Sequence, residues 1–351
     1  MRSVRFCMLH PMDRIPCRFA LLRHLFATAC AVTAWQGLAS EVENIAAVSF
    51  DSHVVVLDAN GTLDGFDFGG RQVAQAELKR LQLKGALNIG SGANRLYAAT
   101  ATAVYELNRW GSPWKKTATF AEHRDSLLRV AVVGDRPLLV YPTEIVDPME
   151  PRTYEVPMSI GSQVHTRVLR LHASYGTPSI LWLGTGHGEW GGHLMGLNPK
   201  TGEWVQYYDA LNYVTGITSA NSDHVIVSWS MSHFMASTLI RQHGINAQPD
   251  HEFPELKDNY YQTVTYSPFD HILYAIERKW LVTLTGGKPT RVIELTLHLF
   301  KPEPKAIGVA PGVIALLPVA EHHVVVVAAT GVPVMVDTSM QKAVSFGTSV
   351  E

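Results

Sequence analysis

Seven times along its 351 residues the chain repeats one pattern: a short turn rich in Asp, Asn, Gly or His runs into a burst of Val, Ile, Leu and Tyr. The bursts begin near Val54 (VVVLD), Leu96 (LYAAT), Leu138 (LLVYP), Ile180 (ILWLGT), Val225 (VIVSW), Ile272 (ILYAIE) and Val324 (VVVVAAT). Their spacing, roughly forty to fifty residues, leaves room for several short strands in each unit. Most bursts lack the polar side of a strand alternation, so both faces are expected to be covered by neighbouring sheets.

Sheets stacked radially around an axis cover both faces of each one, and the repeat therefore predicts an all-β, seven-bladed β-propeller of four-stranded antiparallel blades. The blade near the centre of the chain reads almost completely. Residues 168–173 (VLRLHA) form its inner strand, 180–185 (ILWLGT) the second, 193–198 (HLMGLN) the third and 203–208 (EWVQYY) the outer one. Asn198-Pro199-Lys200-Thr201-Gly202 supplies the tight turn before the outer strand. Residues 87–91, 96–100, 103–107 and 116–120 follow the same order, as do 314–319, 323–329, 333–337 and 342–346. Residues 74–83 are ambiguous, because Glu, Lys, Leu and Gln favour helix where the repeat demands an outer strand. Residues 144–157 read as an irregular outer strand, and 242–261 as the longest connection without an evident strand.

Ala93-Asn94-Arg95-Leu96-Tyr97 and Phe269-Asp270-His271-Ile272-Leu273-Tyr274 carry a turn with Asn or Asp, a basic residue and a hydrophobic strand. This pattern resembles bacterial exported seven-bladed propellers of the YVTN and WD-like repeat superfamily. Leu181-Trp182-Leu183-Gly184-Thr185 with Gly196-Leu197-Asn198 is similar to the LWxGT…GL repeat of sensor-type propellers, here split by an insertion at 186–192. The resemblance covers nearly all of residues 43–348 and implies fold far more than activity.

The N-terminus is organised as an export leader. Arg2, Arg5, Arg14, Arg18 and Arg23 precede an apolar stretch at 25–38, and small residues at Gly37, Ala39 and Ser40 lead to acidic Glu41. Residues 1–40 are read as a signal peptide, with Met1 or Met12 as its start, and 41–351 as a single domain delivered to the periplasm or secreted. Cys30 after Ala27-Thr28-Ala29 offers a weaker lipoprotein reading, because the aliphatic residue expected three before the cysteine is missing. A membrane anchor is disfavoured, since Arg23 and His24 shorten the apolar run below the roughly twenty residues a span needs. No further transmembrane segment is expected. Cys7, Cys17 and Cys30 all lie in the leader, so the mature domain folds without disulfides and cannot use cysteine nucleophiles. A formal net charge of -2 argues against nucleic acid as a partner.

Sixteen histidines invite a metal hypothesis. His53, His224, His271 and His323 recur just before second strands, three of them close behind Asp51, Asp223 and Asp270 and the last behind Glu321, so they are read as turn residues. The loop 185–193 is the most unusual one: its glycines let the backbone turn sharply, Trp190 can stack on a flat or sugar-like group, and His187, Glu189 and His193 can share a cation or a proton. His233 in the next blade joins this set of candidate ligand-binding residues. His165, His123 with Asp125, and His251 with Glu252 are placed in inter-blade connections on the same face. Trp182, Trp204, Trp229 and Trp280 are read as packing between blades.

The leading reading is a monomeric binding or scaffold protein recognising a protein, peptide or glycan through its loop-rich face, with no cofactor. The alternative is a propeller enzyme, a metal-assisted lyase or lactonase-like hydrolase, with Glu189 and His193 as catalytic candidates and His187, His193 and His233 as candidate ligands of a divalent metal. No GxSxG elbow, phosphate-cradling GxxxxGK[ST] loop, HExxH pair or calcium loop is present, nor the tryptophan-rich repeat of quinone-cofactor propellers.

Overall fold

The computed structural model describes residues 43–72, 74–158, 160, 163–164, 167–186, 191–219, 224–230, 238–253, 261–277, 279–285, 288–295 and 312–346. The apolar bursts become the second strands of seven sheets: His53–Asp58, Leu96–Ala99, Arg136–Val140, Leu181–Gly186, Val225–Ser230, Leu273–Glu277 and His323–Ala328. Each lies in an antiparallel sheet beside an inner strand. The inner strands are Asn44–Phe50, Asn88–Ser91, Arg129–Val133, Arg170–Gly176, Tyr213–Thr218, Tyr261–Tyr266 and Val313–Ala320, taken here as blades 1 to 7. Each inner strand contacts the next, and that of blade 7 contacts that of blade 1, so the sheets close a ring. The protein is a seven-bladed β-propeller.

The apolar core is divided by the same geometry. Seven clusters of buried side chains each straddle one seam between blades. At the seam of blades 4 and 5, Trp182 and Trp229 pack with Leu194, Val214 and Val227. Trp204 and Trp280 lie at other seams, partly buried, in accord with the packing role expected of them. Near the axis the inner strands approach so closely that a side chain would not fit. A Cβ on Gly176 would sit 1.7 Å from the Val132 carbonyl oxygen of the preceding blade.

Three elements differ from the sequence expectation. Blade 1 has three strands rather than four, and a short helix, Gln75–Leu81, follows in place of the outer strand. Leu78 and Leu81 bury into the seam with blade 2, and Gln82 completes the sheet edge. Its side-chain amide donates to the Leu63 carbonyl at 2.6 Å and accepts the Leu63 N–H at 3.2 Å, as a strand residue would. Residues 144–157 hold two strands, Glu144–Asp147 and Arg152–Glu155, paired as a hairpin. Residues 242–261 are not strand-free: Thr238–His243 and Pro249–Glu252 are the third and outer strands of blade 5.

Candidate functional site

In this topology the inner strands begin on the face where inter-blade connections arrive and where second strands hand over to third strands. Blade 4 shows it in one row: Arg170 pairs with Gly186, Gly186 with Gly192, and Gly192 with Asp209. On this face a cavity of about 590 Å³ opens into the channel, lined by Asn44, Leu87, Asn88, Arg129, Arg170 and Ile314 among others. A second cavity of about 390 Å³ continues along the axis.

The mouth is chemically lopsided. The first residues of the inner strands, taken around the ring, are Asn44, Asn88, Arg129, Arg170, Tyr213, Tyr261 and Val313, so blades 1 to 4 present amide or guanidinium groups and blades 5 to 7 present tyrosine or valine. Bulges in blades 1, 4, 5 and 7 turn further residues, both apolar and polar, toward the axis. They fall beside Ile45, His172, Thr215 and Ile314, and all four line the cavities. The two asparagines are already used. Asn88 Oδ1 accepts the Val130 N–H at 3.0 Å, and Asn44 Nδ2 donates to Ala328 and Gly331 carbonyls of blade 7.

The two arginines are not. Arg129 reaches from blade 3 to blade 1, where Nη1 donates to the Ile45 carbonyl at 3.1 Å. Burial pushes its guanidinium below the ordinary arginine value, and no carboxylate offsets that burial. Part of its surface stays accessible, because it faces the channel rather than the core. Arg170 is exposed at the rim and acts electrostatically on its neighbour His172. The His172 ring is held at about 4 by desolvation first and by the Arg170 charge second, a hydrogen bond with the Gly186 backbone opposing both. It is therefore neutral at pH 7, tilted against Tyr213 with ring centroids 5.0 Å apart.

Of the five residues singled out in the sequence, His187, Glu189, Trp190 and His233 lie outside the described residues, as does His165. The described flanks of the insertion, Gly186 and Gly191, belong to the mouth end of blade 4. His193 is the second residue of the third strand, Gly192–Leu197, buried, with its ring 4.7 Å from that of Tyr208. It pairs with Thr185, which pairs with Leu171 of the inner strand. At roughly 4.8 Å per strand it stands about 10 Å outward from the channel wall. Among the described residues no group of three or more His, Cys, Asp or Glu is placed to hold a metal ion.

The other histidines have local duties. His53 and His323 each place Nδ1 at 2.7 Å from a backbone carbonyl two residues earlier, that of Asp51 or Glu321, so it is the main chain and not the carboxylate that fixes them. His271 takes a positive φ and meets the Tyr266 hydroxyl at 2.7 Å, while His224 faces Asp250. His123 lies in the connection between blades 2 and 3, where its Nδ1 accepts the Asp125 N–H at 3.0 Å, its Nε2 meets Glu144, and its ring stacks on Tyr141. His251 and Glu252 sit in the outer strand of blade 5 rather than in a connection, and Glu252 pairs with Arg241. Arg129, Arg170 and His172 carried no motif. Aligning the repeat on its inner strands would have exposed the two arginines as charged residues at a position that is elsewhere Asn, Tyr or Val, with His172 two residues beyond one of them.

No protein-family model matches the chain, and no curated protein matches it. Solved structures do. The WD40 domain of Neurospora crassa Pan2 superposes with a TM-score of 0.52 at 9% identity, covering 84% of this chain and 90% of that one. The Dos1 propeller gives 0.52 at 11%, covering 88% and 84%. The RRP9 WD40 repeats give 0.50 at 11%, covering 83% and 88%. At these identities the likeness is one of fold: this chain is a seven-bladed propeller with WD40-like structural neighbours.

Proposed function

We propose that the chain is an exported interaction module that binds a protein or peptide through the face bearing the channel mouth. The observation that carries this reading is the combination, on one face, of a ligand-sized cavity with exposed apolar side chains around it. Leu87 lines the mouth itself, Val332 adjoins the Gly331 carbonyl held by Asn44, and Tyr208 and Leu211 flank the row that ends at Asp209. Exposed apolar groups beside a concave site are what a partner buries on docking. On the opposite face Met149, Ile245, Phe269 and Met340 occupy turns of four different blades. A glycan ligand would call on Trp190 of the insertion.

Export rests on the order of charge, apolar run and small residues at 1–40. No helix among the described residues is long and apolar enough to cross a membrane. The test has two arms. Mass spectrometry of the protein isolated from a periplasmic fraction should find a new N-terminus near Glu41; an intact Met1 or Met12 form held in the cytoplasm rejects export. Partner capture from that fraction should fall at least about tenfold for Leu211→Asp, equivalent to losing a buried apolar anchor, and stay unchanged for Met340→Asp. Equal capture by both variants rejects this face.

A further inference from the structure

We propose that the channel mouth is a carboxylate site, in which an extended acidic peptide presents an Asp or Glu side chain to Arg129 and Arg170. This rests on the reading that the same face docks a partner, and it assigns the partner's chemistry.

Arg129 and Arg170 begin the inner strands of adjacent blades and line one cavity. Among the described residues neither arginine has a carboxylate partner, and the only hydrogen bond the Arg129 side chain makes is to the Ile45 carbonyl. A partly buried cation without a counter-ion is unfavourable, and a fold retains one where an anion completes it. The Ile45 contact fixes one edge of the Arg129 guanidinium and leaves its other N–H groups for a ligand. A planar fork held in this way matches a carboxylate with two parallel hydrogen bonds. Glu43 also lines the mouth, but it lies exposed at the rim and has no part in what perturbs Arg129.

Apart from Asn44 and Asn88, the remaining wall is apolar. Leu87, Leu127, Leu128, Pro142, Ile160 and Ile314 surround the arginines and suit the methylene stem of an acidic side chain and its apolar neighbours. The cavity, about 590 Å³, falls within the roughly 300–1,000 Å³ of ligand sites. A peptide is favoured over a free organic acid because the mouth continues into exposed Leu87 and Val332, which a small diacid would leave uncovered. A polyanion such as nucleic acid is disfavoured by the net charge of -2.

The test uses the isolated full protein and fluorescence anisotropy. The probes are a fluorescein-labelled decapeptide with a central Glu among Leu and Ser residues, its Gln counterpart, and unlabelled glutarate as competitor. The Glu peptide should bind about tenfold or more tightly than the Gln peptide, the ratio expected of a charge-assisted pair, and raised salt should weaken it. Arg170→Met and Arg129→Met should each bring Glu binding down to the Gln level and leave Gln binding unchanged. Arg170 is exposed, so its variant carries the test even where Arg129→Met fails to fold. Equal affinity for the two peptides, or discrimination that survives in Arg170→Met, overturns the proposal. Glutarate competing as tightly as the peptide overturns the peptide as the source. If Leu211→Asp abolishes partner capture while both arginine variants keep it, the face reading stands and the carboxylate site falls. If the arginines discriminate the peptides while Leu211→Asp captures normally, the face reading falls and the anion site stands.

Discussion

His243 has no accessible surface, and both of its ring nitrogens are engaged: Nδ1 donates to the Ala247 carbonyl at 2.8 Å, and Nε2 accepts the Trp229 indole N–H at 3.2 Å. That arrangement needs the neutral ring. Desolvation is the main cause that lowers its proton affinity to about 4, with the Arg241 charge adding and the Ala247 bond opposing. Between the unfolded value of about 6.5 and the folded value the unfolded chain therefore binds more protons, so stability present above pH 6.5 is lost as the pH falls through this window. The full loss from this residue is of order 3 kcal/mol. His243→Gln should lower stability at pH 7 and flatten its decline between pH 6.5 and 4 in urea titrations; a variant whose pH profile parallels the parent protein shows that His243 does not control it. Nothing in the sequence separates His243 from the turn histidines, because what isolates it is the third strand folding over Trp229. His53 and His323 were legible because the repeat placed them twice at one position.

Elements were legible where burial is two-sided. Second strands such as Val225–Ser230 are buried throughout and stand out as apolar runs, and the inner, third and outer strands of blades 2, 4 and 7 fall within a residue or three of their expected bounds. Outer strands are a different problem. Pro249–Glu252 and Arg152–Glu155 are largely exposed, so no apolar alternation marks them and turn-like residues mislead. Residues 74–83 posed a conflict between propensity and repeat, and propensity won because Leu78 and Leu81 bury from a helix while Gln82 satisfies the strand edge. This substitution predicts a measurable dependence on one amide. Gln82→Ala leaves the Leu63 N–H and C=O without that partner and should cost about 1–2 kcal/mol, with faster amide exchange in Leu63–Asp67. Exchange in that strand equal to that of the parent protein would mean the helix alone protects it.

At the scale of the ring, blade 7 is built wholly from C-terminal strands, Val313–Ala320 through Lys342–Ser345, and blade 1 wholly from the start of the described chain. Among the described residues no strand crosses this seam, so closure depends on side chains and on one asparagine. Val54, Val56 and Phe66 pack against Val325, Val327 and Phe346. Asn44 clamps the mouth end: its N–H donates to the Ala329 carbonyl at 2.6 Å, and its Nδ2 to the carbonyls of Ala328 and Gly331 at 3.0 and 2.9 Å. Asn44→Ala keeps the first bond and removes the other two, leaving two carbonyls of blade 7 to water. The expected loss is about 2 kcal/mol. Its distribution separates a clamp from an ordinary hydrogen bond, because the first breach of a ring happens at its weakest seam. Hydrogen exchange should accelerate in the inner strands of blades 1 and 7 and stay at parent levels in Arg170–Gly176 on the far side. Uniform acceleration around the ring would show that the seam is no weaker than the others. Because Asn44 also lines the mouth beside Arg129, a bound acidic peptide should slow exchange at the seam in the parent protein. The same peptide should give no protection in Arg170→Met.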